Sequence, residues 1–104
     1  GRNILDKYEV RLYPKAARDL DGIYLYLATD LMAPDAAVNT VDAIEEAIFS
    51  LETMPERGSQ RTTGAYAYKG YRQLFIKNYI IVYKVLPKKK EVHVLTVKYV
   101  RSQF

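Results

Sequence analysis

The chain has 104 residues, 49% of them hydrophobic, no cysteine and a formal net charge of +4. That is the size of one domain with a real core, expected here over residues 1–104, and it argues against a disordered tail. The lack of cysteine excludes a disulfide framework and a thiolate metal site, and no apolar run approaches the roughly 18 residues of a membrane span.

Taken in order, Lys7–Tyr13 alternates, with Tyr8, Val10 and Leu12 on one side and Glu9 and Arg11 on the other. This is strand periodicity. Pro14 stops it and suits the first turn of a helix. From Lys15 to Leu31, the residues Leu20, Ile23, Tyr24, Leu27 and Leu31 recur at spacings of three and four, one helical face. Ala33-Pro34-Asp35 is a break and a fresh helix start. The second helix, to about Met54, places Ala37, Val38, Val41, Ile44, Ile48 and Leu51 on one stripe and Asp42, Glu45, Glu46 and Glu52 elsewhere. A link this short predicts an antiparallel helical hairpin. Pro55 ends the helix.

Residues 55–64 read as a loop and Tyr66–Tyr68 as a short strand. Tyr71–Lys77 and Tyr79–Leu86 read as strands around a turn near Lys77-Asn78, and Glu91–Val100 as the last strand. The order β, α, α, β-meander predicts an α+β fold. An N-terminal strand and an antiparallel helical hairpin pack on one face of a twisted, mainly antiparallel sheet of four to five strands. The other face of that sheet is expected to stand open.

Charge is divided sharply along the chain. Residues 1–56 hold 5 Lys+Arg and 11 Asp+Glu, a balance of −6, while residues 57–104 hold 11 and 1, a balance of +10. Two readings follow: a C-terminal half that meets a polyanion or an acidic protein segment, or a solvated surface paired with the chain's own acidic half. No cluster of His, Asp and Glu has metal-ligand spacing. No glycine-rich phosphate loop or nucleophile elbow is present.

Several segments together resemble the RelE/ParE superfamily of toxins from type II toxin–antitoxin pairs. They are YEVRLYPKAARDLDGIYLYLA, DAAVNTVDAIEEAIFSL followed by MPERG, GYRQL, NYIIVYKV and the terminal VLTVKYVRSQF. The likeness covers about 95 residues. It implies a cytoplasmic toxin with a cognate antitoxin, operator DNA met only through the antitoxin complex, and no membrane. The function the resemblance implies first is that of the branch that cleaves mRNA in the ribosomal A site: a metal-independent endoribonuclease, an mRNA interferase that blocks translation without a cofactor, with the two readings that follow as alternatives. A sister branch poisons DNA gyrase. A third possibility is an attenuated toxin that mainly binds its antitoxin.

The resemblance carries over to particular residues. In the RNA-cleaving reading Arg72 and Arg101 face the scissile phosphate, since cations aimed at developing charge stabilise it. Lys98 and Tyr99 complete the catalytic group. Lys77, Lys69, Arg61 and Arg57 steer RNA, and Tyr83 stacks on a base. Arg72 alternates with Leu74 and Ile76, so it projects only at the strand end. The chain also departs from the pattern. Ile80 stands where potent RNA-cleaving members carry arginine, Ser102 and Gln103 stand where a second arginine and an acid are common, and Tyr99-Val100-Arg101 contains no histidine. The single histidine, His93, shares strand parity with Leu95 and Val97 and reads as a partly buried strand residue. Glu46 reads as part of a solvated helix face.

Overall fold

The computed structural model describes residues 7–101, so Ser102 and Gln103 lie outside the described residues. Strand β1 (Glu9–Leu12) leads into helix α1 (Pro14–Leu25), with Pro14 in the first turn. One π-helical turn, Tyr26–Asp30, continues α1. There the Thr29 hydroxyl donates to the Leu25 carbonyl and the Leu31 N–H reaches back five residues to Tyr26. A side-chain hydroxyl that engages the backbone loosens the ordinary helical register. Met32, at φ 52°, then ends the run. Helix α2 (Pro34–Ser50) follows, then β2 (Ser59–Gln60), β3 (Tyr71–Ile76), β4 (Tyr79–Leu86) and β5 (Glu91–Tyr99).

The five strands form one sheet in the order β1-β5-β4-β3-β2. β1 pairs parallel with β5, and every other pairing is antiparallel. The expected architecture therefore stands, with differences in detail. Tyr66–Tyr68 is not a strand. Tyr66 and Tyr68 have φ of 69° and 57°, left-handed values that no extended chain adopts. A short strand lies instead at Ser59–Gln60, inside the expected loop. Val38 leaves the expected apolar stripe of α2 and is exposed.

The core lies between the helices and one face of the sheet. Ala16, Leu20, Ile44, Ala47, Ile48 and Leu51 pack against Leu74, Tyr79, Ile81, Tyr83, Val92, Val94 and Val97. Val94 and Val97 are three apart, yet both face the helices. Val82 pairs with Thr96 while Tyr83 pairs with Val94, which leaves Leu95 as the extra residue of a β-bulge. A bulge of this kind resets the alternation. His93 therefore does not share a face with Val97, contrary to its parity in the sequence.

The second face is not open. Gln73, Val82 and Thr96 form a row across β3, β4 and β5 on that face, and Val82 and Thr96 are 0% and 1% exposed. Residues 61–70 fold back over it as a strap. Arg61 Nη1 donates to Gln73 Oε1 at 3.0 Å and Arg61 Nε donates to the Ala65 carbonyl. The Tyr68 N–H reaches the Arg61 carbonyl at 3.0 Å, and the Tyr66 ring meets Tyr71 edge-on at 5.1 Å. Gly64, Tyr66, Tyr68 and Gly70 all have positive φ. These left-handed residues let so short a segment reverse repeatedly.

Candidate functional site

The basic residues of the C-terminal half part company in three dimensions. Arg72 pairs across the sheet with Tyr83, on the side that faces the helices. Its Nε donates to the Gly58 carbonyl at 3.1 Å and its Nη2 to the Glu56 carbonyl at 3.2 Å. The guanidinium thus braces the corner that follows α2. Tyr83 serves the same corner: it is fully buried, and its hydroxyl accepts the Gly58 N–H at 2.9 Å. A base cannot stack on a ring enclosed in the core, so Tyr83 is removed from the surface residues. Gly58 is needed here by close approach. A Cβ on it would collide with the Gln73 carbonyl oxygen and lie 2.8 Å from the Tyr83 hydroxyl.

Arg61, expected as a steering cation in solvent, is only 7% exposed and holds the strap. Unpaired burial of a guanidinium would be costly, and its carbonyl and amide partners offset that cost. Arg57 is exposed and donates to Ser50 Oγ at 2.7 Å. Lys69 is exposed beside Gly70, and Arg101 is exposed just past β5. Ile80 is buried on the second face. Glu46 is exposed on α2, as expected.

Three of the expected residues do come together. Lys77, Lys98 and Tyr99 line an open groove of about 720 Å³ with Arg18, Tyr26, Leu27, Leu31 and Tyr79. α1 and its π turn form one wall, and the β3–β4 turn and the end of β5 form the other. Tyr79 and Tyr99 meet edge-on with centroids 5.6 Å apart, a geometry aromatic rings favour. Burial, with Tyr99 and Tyr26 nearby, raises the Tyr79 phenol above its ordinary value. Apolar and aromatic walls with cations along the rim describe a binding surface more than a reaction chamber.

A polar network that the sequence reading missed borders this groove. β1 stops at Leu12, so among the described residues the edge of β5 beyond Val94 has no strand partner. Asp19 of α1 takes that place. Its carboxylate accepts the Val97 N–H at 3.0 Å, the Thr96 hydroxyl, and Lys15 Nζ at 3.2 Å. Lys15 also donates to Thr96 Oγ1 at 3.0 Å. Burial works to raise the Asp19 pKa. The Thr96 hydroxyl, the Val97 N–H and Lys15 outweigh it, and the carboxyl is held below its ordinary value. Lys98 sits against Lys15. Its hydrogen bond with that amine, with burial and the Lys15 charge, lowers the Lys98 pKa, because two adjacent ammonium groups disfavour one another. The only advance signal was the i, i+4 pair of Lys15 and Asp19 on α1.

Among the described residues no group of three or more His, Cys, Asp or Glu could hold a metal ion. No helix in them is long and apolar enough to cross a membrane.

Two helices on one side of a five-stranded mixed sheet, with a cation-rimmed aromatic groove, define a small α+β protein of the RelE/ParE architecture. The model of the ParE toxin of the type II toxin–antitoxin system parDE matches residues 10–104, and the chain belongs to that family. Among solved structures, the chromosomal ParDE system from P. aeruginosa is similar at 26% identity and TM-score 0.74, covering 92% of this chain and 99% of the other. The RelBE2 toxin–antitoxin complex from Mycobacterium tuberculosis aligns at 22% identity and TM-score 0.64, over 89% and 98% of the two chains. The archaeal RelE–RelB complex from Pyrococcus horikoshii OT3 aligns at 20% and 0.60, over 91% and 98%. These last two share the fold. No curated protein matches the sequence significantly.

Proposed function

We propose that this toxin acts in the cytoplasm in the ParE manner, by gripping DNA gyrase, and that a cognate antitoxin neutralises it by covering its basic surface. The observation that carries this reading is the placement of Arg72 and Tyr83. Two residues on which RNA cleavage would rely are engaged in holding the Glu56–Gly58 corner. The cations left at the surface, Lys77 and Lys98 among them, rim an aromatic groove suited to a protein partner. Membership of the ParE family supports the same choice. So does the likeness to the ParDE toxin–antitoxin system of P. aeruginosa, which extends over 92% of this chain.

Ribosome-dependent mRNA cleavage is the second reading, and Lys98 favours it. The Lys98 pKa is lowered beside the Lys15 cation, and an amine that gives up its proton more readily, next to a second positive charge, suits cleavage without a metal. One pair of assays separates the two. Purified protein is added to DNA gyrase with relaxed plasmid, and separately to ribosomes programmed with a defined mRNA, with new 5′ ends mapped by primer extension. Loss of supercoiling with no new ends is expected. A-site cuts that vanish in Lys98→Met, with supercoiling intact, would overturn the gyrase reading. Neither effect from a folded protein would leave antitoxin binding and operator co-repression as its role.

A further inference from the structure

Away from the groove, β1 and β5 bring a second set of reactive side chains together. In their parallel register Glu9 lies opposite Glu91 and Arg11 opposite His93. Alternation therefore puts all four on one face, and Tyr13 follows directly before α1. The Tyr13 hydroxyl lies 3.0 Å from His93 Nδ1, and His93 Nε2 lies 3.0 Å from Glu91 Oε1. The other Glu91 oxygen takes the Arg11 guanidinium at 3.1 Å.

The partners decide where the protons sit. The hydrogen bond from His93, followed by the Arg11 charge, outweighs burial and holds the Glu91 carboxyl below its ordinary value, so it is a pure acceptor. In the tautomer with the ring hydrogen on Nε2, that nitrogen donates to Glu91 and Nδ1 accepts from the Tyr13 hydroxyl. Hydroxyl, imidazole and carboxylate stand in the order that activates a nucleophile, each within hydrogen-bond reach of the next. Tyr13 is 42% exposed, so its side chain stands at the surface rather than in the core. Arg11 is paired with Glu9 and Glu91, and Lys84 (opposite His93 on β4, its ammonium 5.2 Å from the Tyr71 ring centroid) and Lys89 (near Glu91) add positive charge beside the cluster. Such a setting attracts an anionic carrier.

We propose that Tyr13 is an activated nucleophile that accepts an acyl group from an activated anionic acyl donor, a thioester or an acyl phosphate. Tyr13 Oη adds to the donor carbonyl carbon as its proton passes to His93 Nδ1. The carbon–sulfur or carbon–oxygen bond to the carrier then breaks, and the departing thiolate or phosphate recovers that proton. The products are an aryl ester on Tyr13 and the free carrier, with no change of oxidation state. Glu91 is a positioning residue that holds the imidazole tautomer.

The test exposes the whole chain briefly to p-nitrophenyl acetate and maps acetylated tyrosines by mass spectrometry. Tyr68, at 82% exposure, is the internal reference. Tyr13 is expected to label faster than Tyr68 although it is less accessible. His93→Gln leaves the phenol an acceptor but takes up no proton. In that variant Tyr13 labelling is expected to fall below that of Tyr68, with Tyr68 unchanged and thermal unfolding showing an intact fold. Glu91→Gln is expected to lower it part of the way. Labelling that simply follows exposure in the unaltered protein, or a Tyr13 rate untouched by His93→Gln, would overturn the proposal.

Discussion

On its helix side the sheet offers Leu74, Ile81, Val94 and Val97 to Leu20, Ile44 and Ile48, side chains that need no specific partner. On its other side Val82 and Thr96 are buried as completely, but there a ten-residue strap, 61–70, is tied to Gln73 and Tyr71 by one arginine and a series of left-handed turns, and Asp19 and Lys15 hold the Thr96 hydroxyl. Repetitive apolar area stabilises the first face, and its contributions add with area. Individual hydrogen bonds hold the second cover in place, and each fails alone. The faces also divide the cations. Arg72 is drawn to the helix side to satisfy carbonyls and Arg61 is enclosed beneath the strap, while Lys77 and Lys98 reach the groove.

This contrast can be broken most forcefully in the interior. Ile81→Ala, on the helix side, is expected to cost about 3 kcal/mol in urea unfolding. Val82→Ala, one residue on and facing the strap, should cost about 2 kcal/mol if that face is enclosed. A cost within about 0.5 kcal/mol, the usual range at the surface, would show the second face to be open.

Gly58→Ala forces the Gln73 carbonyl and the Tyr83 hydroxyl apart. It is expected to destabilise by about 2 kcal/mol, measured the same way, as overpacking does. Arg72→Ala removes both donors from the same corner, and a loss of about 1 kcal/mol is expected. If Arg72 matters only through the fold, the variant should keep its biological effect below its own unfolding temperature. A stable but inactive Arg72→Ala would return that residue to the functional surface.

The smallest effect is electrostatic. Asp19 and Glu91 both have carboxyl pKa values lowered in the folded protein. A depressed folded pKa adds stability above the unfolded value, near 4 for these side chains, and that stability is lost as pH falls through the folded pKa. The urea midpoint should therefore decline below about pH 4. Asp19→Asn should flatten part of that decline. A midpoint with the same acid dependence in the variant would remove Asp19 from the account.

Much of this was legible in advance. Ala16, Leu20 and Ile23 announce α1, and Ala37, Ile44 and Ile48 announce α2, because a helix must bury one stripe. Apolar runs mark β4 and β5, and Arg72 alternates visibly with Leu74 and Ile76, the side on which it is found. The strap was illegible. Tyr66 and Tyr68 have the composition of a strand, and nothing local reports their positive φ. Arg61 gives no sign in sequence that it is enclosed, since arginine is ordinarily a surface residue.

The α+β class, the helical hairpin, the meander and the concentration of positive charge after residue 56 are all written in the order of residues along the chain. These follow from local periods and from counting, and need no knowledge of distant neighbours. Which cations reach solvent, where the bulge at Leu95 turns His93, and that β1 lies parallel to β5 emerge once the elements are packed together. Side-chain contacts join residues 80 apart, as in Tyr13 with His93, or 77 apart, as in Asp19 with Thr96. A single bulge or left-handed residue changes the face on which a side chain emerges, and the consequence appears only when the strands are side by side.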